Sequence, residues 1–162
     1  MFSIGIVTAS DKGSRGERED VSGKIIAEML TELGTVKHYL IVPDEQNALS
    51  EAIVDMADNK QIDLILTTGG TGLGPRDVTP EATLAVIDRL VPGIPEAMRA
   101  KSLTITSRAM LSRAVAGMRG RTLVINLPGS PKGVKECLEV ILPALEHGLA
   151  IMKGEAGECA RP

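Results

Sequence analysis

Short apolar runs alternate with helical stripes from the first residues of the chain. Ser3 to Ala9 (SIGIVTA) is a run of strand length that opens directly into a polar loop, Ser10 to Asp20, as a buried parallel strand would. Val21, Ile25, Ile26, Met29, Leu30 and Leu33 then recur at helical spacing and stop at Gly34. Val36 to Val42 predicts a second strand ended by Pro43, and Leu49, Ala52, Ile53 and Met56 predict a second helix. Asp63 to Thr67 predicts a third strand, which runs into a glycine-rich loop. Thr79-Pro80-Glu81 predicts a helix start, with Thr79 as cap, Pro80 at the first helical position and Glu81 complementing the dipole. That helix is expected to continue through Ala85, Val86 and Leu90, to break at Pro92-Gly93, and to be followed by a short helix from Pro95 to Ser102. Ala114 to Met118 and Thr122 to Leu127 are expected to pair as a hairpin across Arg119-Gly120-Arg121. Two helices, one ending at Leu142 and one from Ala144 to Met152, close the pattern. The alternation predicts an α/β fold, three-layered, with a mostly parallel sheet flanked by helices. One domain is expected over residues 1–152, followed by a polar tail, 153–162.

Composition narrows the functions this fold could carry. A chain of 162 residues buries roughly two-thirds of the surface its unfolded form exposes. Aliphatic side chains must supply that core, because there is no Trp, one Phe (Phe2) and one Tyr (Tyr39). Proteins that stack bases need more aromatic rings, and a net charge of −3 gives no general attraction to nucleic acid. The charge is uneven, however: no Asp or Glu lies between Glu96 and Glu136, a stretch that holds eight Lys and Arg residues, among them Arg99, Arg108, Arg113 and Lys132. These cations form either a solvated basic face or a group facing an anionic small molecule. Cys137 falls among Val134, Leu138 and Ile141 as a core thiol, and Cys159 lies in the polar tail, so no disulfide framework is expected. No secretory leader pattern and no segment apolar enough for a bilayer is present, which makes the cytoplasm the expected compartment.

Candidate chemistry collects in the loops that follow the strands, where ligands of parallel sheets bind. The loop Gly69 to Asp77 carries Gly69, Gly70, Gly72 and Gly74, with the hydroxyls of Thr67, Thr68 and Thr71. Such a loop lets backbone amides approach an anion closely. It is not a P-loop, since Pro75 rather than Lys follows Gly74, and its spacing is not that of a dinucleotide fingerprint. Asp44 and Asp77, each after a strand, are the carboxylates of interest. Each could cap a helix, and Asp77 could pair with Arg76, but two carboxylates beside a phosphate loop also suit a magnesium ion, with Asp11 as a third member. Pro128-Gly129-Ser130-Pro131-Lys132-Gly133 is a second anion loop, with Ser130 placed to cap the next helix and Lys132 adding charge. No zinc-type Cys/His cluster and no Gly-x-Ser-x-Gly elbow occurs, and His38 and His147 fall away from the loops. Transfer of a phosphoryl or nucleotidyl group by positioning and metal electrostatics fits this inventory.

Residues Thr67 to Thr83 (TTGGTGLGPRDVTPEAT) resemble the signature of the molybdopterin-binding family that includes MogA-type and MoaB-type proteins and the G domain of gephyrin. Ala109 to Leu145, with AMLSR and INLPGSPKG, resembles the family's second block, and SIGIVTASDKGSRGEREDVSG and VPDE match as well. The resemblance implies a molybdopterin adenylyltransferase that uses Mg2+ and ATP to adenylylate molybdopterin, releasing pyrophosphate. It implies that Asp44 and Asp77 handle magnesium and nucleotide. Thr68, Gly69, Gly70, Thr71 and Gly72 match the nucleotide- and pterin-binding loop. Ser10, Asp11, Ser112, Pro128, Gly129, Ser130 and Lys132 match further binding positions. A homotrimer is expected, as in MogA-type proteins, rather than the hexamer of many MoaB-type proteins, because no extension precedes the first strand. A molybdenum-insertase is the partner implied. Many relatives carry Thr-Pro before AMLSR, where this chain has Ser107-Arg108. A non-catalytic carrier of molybdopterin is the alternative, and retention of Asp44 and Asp77 favours the enzyme.

Overall fold

The structure is a computed structural model that describes residues 1–155, so the expectation for Cys159 and most of the polar tail lies outside the described residues. Six strands form one sheet: β1 (Phe2–Ala9), β2 (Gly34–Val42), β3 (Leu64–Thr68), β4 (Arg89–Leu90), β5 (Ala116–Arg119) and β6 (Thr122–Leu127), in the order β2-β1-β3-β6-β5-β4. β2, β1, β3 and β6 run parallel, whereas β5 is antiparallel to both β6 and β4. The expected mostly parallel sheet and the hairpin near 114–127 are therefore both present, with Gly120 at a φ of 54° in the turn.

Alternation along the strands divides the core into two layers. Ile4, Ile6, Leu64, Leu66, Leu123 and Ile125 face α2 (Val21–Met29), α5 (Gly93–Leu103) and α6 (Pro131–Lys153). Val7, Ala9, Ile65 and Val124 face α3 (Gln46–Val54) and α4 (Thr79–Leu84). The sheet is thus covered on both faces, which is why its strands read as continuous apolar runs. A four-residue helix, α1 (Asp11–Ser14), precedes α2, and Asp55–Asn59 continues α3 as a π-helical turn.

Three expectations need correction. Thr79 is not a cap: Val78 holds that position without a side-chain bond, and the Thr79 hydroxyl donates to the Gly69 carbonyl at 2.8 Å. α4 ends at Leu84, and Arg89–Leu90 leaves it to become the edge strand β4. The two closing helices are one, because α6 runs through Pro143. Proline removes one amide donor, but Val134, Cys137, Leu138 and Ile141 before it and Leu145 and Leu149 after it share one buried stripe. Burial of that stripe on the sheet outweighs the lost bond.

Candidate functional site

Strand order reverses at the β1/β3 boundary, and a crevice opens there at the carboxyl edge of the sheet. Two cavities occupy this edge. The larger, about 530 Å³, is lined by Ser10, Asp44, Thr68, Gly69, Gly70, Asp77 and Gly129 among others. The smaller, about 290 Å³, is lined by Thr71, Gly72, Ser112, Pro128 and Ser130, with Met98, Leu111 and Cys137 as its apolar wall. The chain segment Gly69–Gly72 separates the two. Every candidate binding residue from the sequence therefore lines one cavity or the other, except Asp11 and Lys132, which line neither.

The glycine loop bends where only glycine is at ease. Gly69 and Gly70 have φ of 89° and 69°, and a Cβ on Gly70 would fall 2.3 Å from the Thr79 hydroxyl. Thr79 fastens the bend twice, through its hydroxyl to Gly69 and its amide to the Gly70 carbonyl at 3.1 Å. Behind it, buried Asn126 donates to the hydroxyls of Thr67 and Thr83, both at 2.9 Å, and Thr83 donates to the Thr79 carbonyl. Thr67 is thus part of the support. The Thr68 hydroxyl donates to the Pro128 carbonyl at 2.7 Å, joining the two anion loops. Ser130 caps α6 as expected, accepting from the Gly133 amide at 3.1 Å, so the amino end of this 23-residue helix faces both cavities.

Neither Asp44 nor Asp77 caps a helix. Asp77 turns back on its own loop, where its Oδ2 accepts from the Gly74 amide at 2.9 Å. Asp44 accepts from the Asp11 amide through Oδ2 at 2.9 Å. Burial pushes the Asp44 carboxyl above the ordinary aspartate range, and the charges of Asp11 and Asp77 push the same way. Arg76 pairs with Asp11 rather than Asp77, through two bonds of 2.9 and 2.8 Å, and holds the Asp11 carboxyl below its ordinary range. Asp11 is therefore committed to Arg76, and no group of three or more metal-binding side chains occurs among the described residues.

Several site residues carry no signal in local spacing. Asp20 caps α2 through the Gly23 amide and takes the hydroxyls of Thr8 and Tyr39 on its other oxygen; burial first, and then the Asp20 carboxylate, raises the Tyr39 phenol far above its usual range. Ser22 donates to the Gly129 carbonyl at 2.8 Å. Arg113 grips the glycine loop from outside both cavities. Apart from the Gly23 cap, their partners are 12 to 107 residues away, so only the fold brings them together. The basic stretch from 97 to 135 divides: Lys101, Arg121, Lys132 and Lys135 are exposed, Arg99 and Arg108 line the smaller cavity, and Arg99, Arg113 and Arg119 are tied to the protein itself. Arg99 donates to the carbonyls of Ser112 and Ala114, and Arg119 pairs with Asp58. Arg108, on the wall of the smaller cavity, makes no side-chain bond among the described residues. No helix among the described residues is long and apolar enough to cross a membrane.

Comparison with known proteins identifies the family and matches the fold. A family model described as "Probable molybdopterin binding domain" matches residues 5–147. A molybdopterin adenylyltransferase of Helicobacter pylori (strain J99 / ATCC 700824) is 46% identical over 154 residues, covering 93% of this chain and 88% of the relative. A protein of the same name from Escherichia coli (strain K12) is 44% identical over 90% of this chain and 78% of its own length. The crystal structure of the molybdopterin biosynthesis enzyme MoaB from Thermus thermophilus superposes with a TM-score of 0.91 at 52% identity, over 98% of this chain and all of that one.

Proposed function

The chain belongs to the molybdopterin-binding domain family, and on that premise we propose that it is a molybdopterin adenylyltransferase of molybdenum cofactor biosynthesis, transferring AMP from Mg-ATP to the terminal phosphate of molybdopterin. A phosphate oxygen of molybdopterin attacks the α-phosphorus of ATP, the bond from that phosphorus to the β-phosphate bridge breaks, and pyrophosphate leaves with the electron pair. The attacking phosphate is already anionic at neutral pH, so no general base is required. That agrees with the sequence, which has no nucleophile–base pair near the loops. What the protein must do is align the two substrates and neutralise charge.

The observation that carries the reading is the pair of cavities divided by the glycine loop. The larger is the polar one, with loop hydroxyls and the amino end of α6, and suits the nucleotide. The smaller, with its apolar wall and Ser112, suits the pterin. The shared wall brings the two phosphates to Gly69–Gly72, where amides can face them.

The carboxylates fit magnesium. Glu19, Asp20, Asp44 and Asp77 line the larger cavity against one cation, Arg18, so a polyphosphate entering it meets repulsion unless a divalent ion comes with it. Asp44 and Asp77 are the residues that would hold the ion, which matches the way Mg2+ binds through one or two carboxylates plus substrate phosphates. When bound, the ion would neutralise charge developing on the phosphates. Asp44 presents a partly buried carboxylate, and Asp77 supplies the second negative charge near it. A homotrimer in the cytoplasm, passing its product to a molybdenum-insertase, completes the proposal. An apolar groove of about 430 Å³ that includes Val91, Ile94, Val140, Leu145 and Ile151 supports self-association.

Incubation of the protein with ATP, Mg2+ and molybdopterin tests the reading. Adenylylated pterin and pyrophosphate are expected in equal amounts. Binding of molybdopterin without either product would make the chain a carrier instead.

A further inference from the structure

Arg113 lines neither cavity, yet it is bonded to the glycine loop between them at three points and to α4 at a fourth. Its amide donates to the Thr71 carbonyl at 2.9 Å, its Nε to the Gly72 carbonyl at 2.8 Å and its Nη2 to the Asp77 carbonyl at 2.6 Å. Its remaining Nη1 pairs with Glu81 at the start of α4. Thr71 and Gly72 face the smaller cavity, and Asp77 faces the larger. Among the described residues, the Gly72 and Asp77 carbonyls receive no other donor. Between them the loop from Leu73 to Arg76 is exposed, with Leu73 two-thirds open to solvent. Without the guanidinium, Asp77 itself would keep only the bond from its amide to the Gly74 carbonyl and the carboxylate bond to the Gly74 amide, although its neighbours Arg76 and Thr79 stay tied to Asp11 and to Gly69 and Gly70.

Guanidinium geometry matters to this arrangement. The planar fork sends three N–H directions to three separate acceptors at once, one on each side of the wall and one on the carboxylate of α4. Lysine could keep the charge opposite Glu81 but could not span both carbonyls in fixed directions. The second Glu81 oxygen is buried with no partner, so this carboxylate has little else to hold it in place.

We propose that Arg113 is a positioning residue that sets the Asp77 carboxylate and couples occupancy of the pterin cavity to the affinity of the nucleotide cavity. A ligand that presses on Thr71 or Gly72 moves carbonyls bonded to Arg113, Thr71 through the Arg113 amide and Gly72 through the same guanidinium that holds Asp77. Coupling of this kind is reciprocal, so metal–nucleotide tightens molybdopterin by the same factor that molybdopterin tightens metal–nucleotide. The inference rests on the assignment of the two cavities above.

The test compares wild type with Arg113→Lys and Arg113→Gln, using Mn2+–ATP as the probe and reading its affinity with and without molybdopterin. In the wild type the two affinities should differ by about fivefold or more, and in both variants the ratio should fall toward one. The turnover number should drop by about 100-fold, with the KM for molybdopterin at saturating ATP raised only by the lost coupling, about fivefold, and the melting temperature close to that of the wild type. Rescue by lysine would reduce Arg113 to a charge partner of Glu81 and overturn the proposal. So would a wild-type ratio of one, or a ratio kept in both variants. A fall in melting temperature with proportional losses in every parameter would show support of the fold alone, which also overturns it. If wild type forms no adenylylated pterin, the adenylyltransferase reading fails, while the binding ratio still decides the role of Arg113.

Discussion

Asp11 and Asp44 each accept the other's backbone amide: Asp11 N donates to Asp44 Oδ2 at 2.9 Å, and Asp44 N to Asp11 Oδ1 at 3.0 Å. This reciprocal pair fastens the loop after β1 to the loop after β2. It leaves the two carboxylates in different states, since Arg76 neutralises Asp11 while Asp44 faces the cavity with Asp77 nearby. The first prediction follows from that division. Asp44→Ala and Asp77→Ala should each lower turnover by about 10²–10³-fold, with molybdopterin binding retained because neither residue lines the smaller cavity. Steady-state rates alongside pterin titration measure both. Near-normal turnover in the two variants would remove them from the metal site.

Asp44 also predicts a dependence of stability on pH. Burial and neighbouring negative charge raise its pKa in the folded chain above the unfolded value of about 4. A carboxyl shifted in that direction favours folding only while protonated. Its contribution is full below the unfolded pKa and is lost as pH rises through the folded one. At neutral pH the ionised side chain therefore opposes folding. Asp44→Asn should melt at a higher temperature than wild type at pH 7, and the gap should close as the pH is taken below 4. The same variant should be inactive, stability having been gained at a functional carboxylate. Equal melting temperatures at pH 7 would argue that Asp44 is not strained by its surroundings.

Much of this architecture could be read from the chain because local pattern and tertiary environment agree. Ser3 to Ala9 and Asp63 to Thr67 are buried on both faces, so they read as strands, and the loops after them hold the cavities. Disagreement arose where a residue's local meaning was displaced by a distant partner. Thr79 has the look of a cap, but the Gly69 carbonyl takes its hydroxyl. Arg76 sits next to Asp77 in sequence and pairs with Asp11 across 65 residues. Pro143 reads as a helix end, and a buried stripe on both sides of it carries α6 through. The roles of Asp20 and Arg113 beyond their own segments left no trace in spacing, because Asp20 accepts hydroxyls from β1 and β2 and Arg113 donates to carbonyls of the glycine loop. Side-chain-to-backbone contacts of that kind carry no residue-type signature at the accepting end.

The bend at Gly70 provides a third prediction. Alanine there must adopt a left-handed φ of 69° and place its methyl carbon 2.3 Å from the Thr79 hydroxyl. Gly120 has a similar φ of 54° but open space around it. Gly120→Ala should therefore cost about 1–2 kcal/mol from conformation alone, and Gly70→Ala more, because Thr79 must release Gly69 to make room. Urea unfolding of the two variants separates the terms. Equal losses would mean that Thr79 yields without effort, and that it does not fix the loop.

Asn126 sits at the back of the same loop and supplies the last prediction. It is fully buried, donates to Thr67 and Thr83, and accepts from the Val115 amide at 3.2 Å through Oδ1. Asn126→Ala leaves that amide and a small void unmatched, a cost of about 2–4 kcal/mol. Asn126→Asp keeps the shape but turns two donors into acceptors and buries a charge. To meet that charge Thr83 must turn its hydroxyl away from the Thr79 carbonyl, loosening the residue that holds Gly69. The buried acid would have a raised pKa, so the variant should be least stable at neutral pH and recover as the pH falls toward 4. Asn126→Ala should show no such recovery relative to wild type, since it adds no titrating group. Denaturation curves at pH 4 and pH 7 distinguish the two. A parallel response in both variants would mean that packing, rather than the direction of these hydrogen bonds, is what Asn126 contributes beneath the glycine loop.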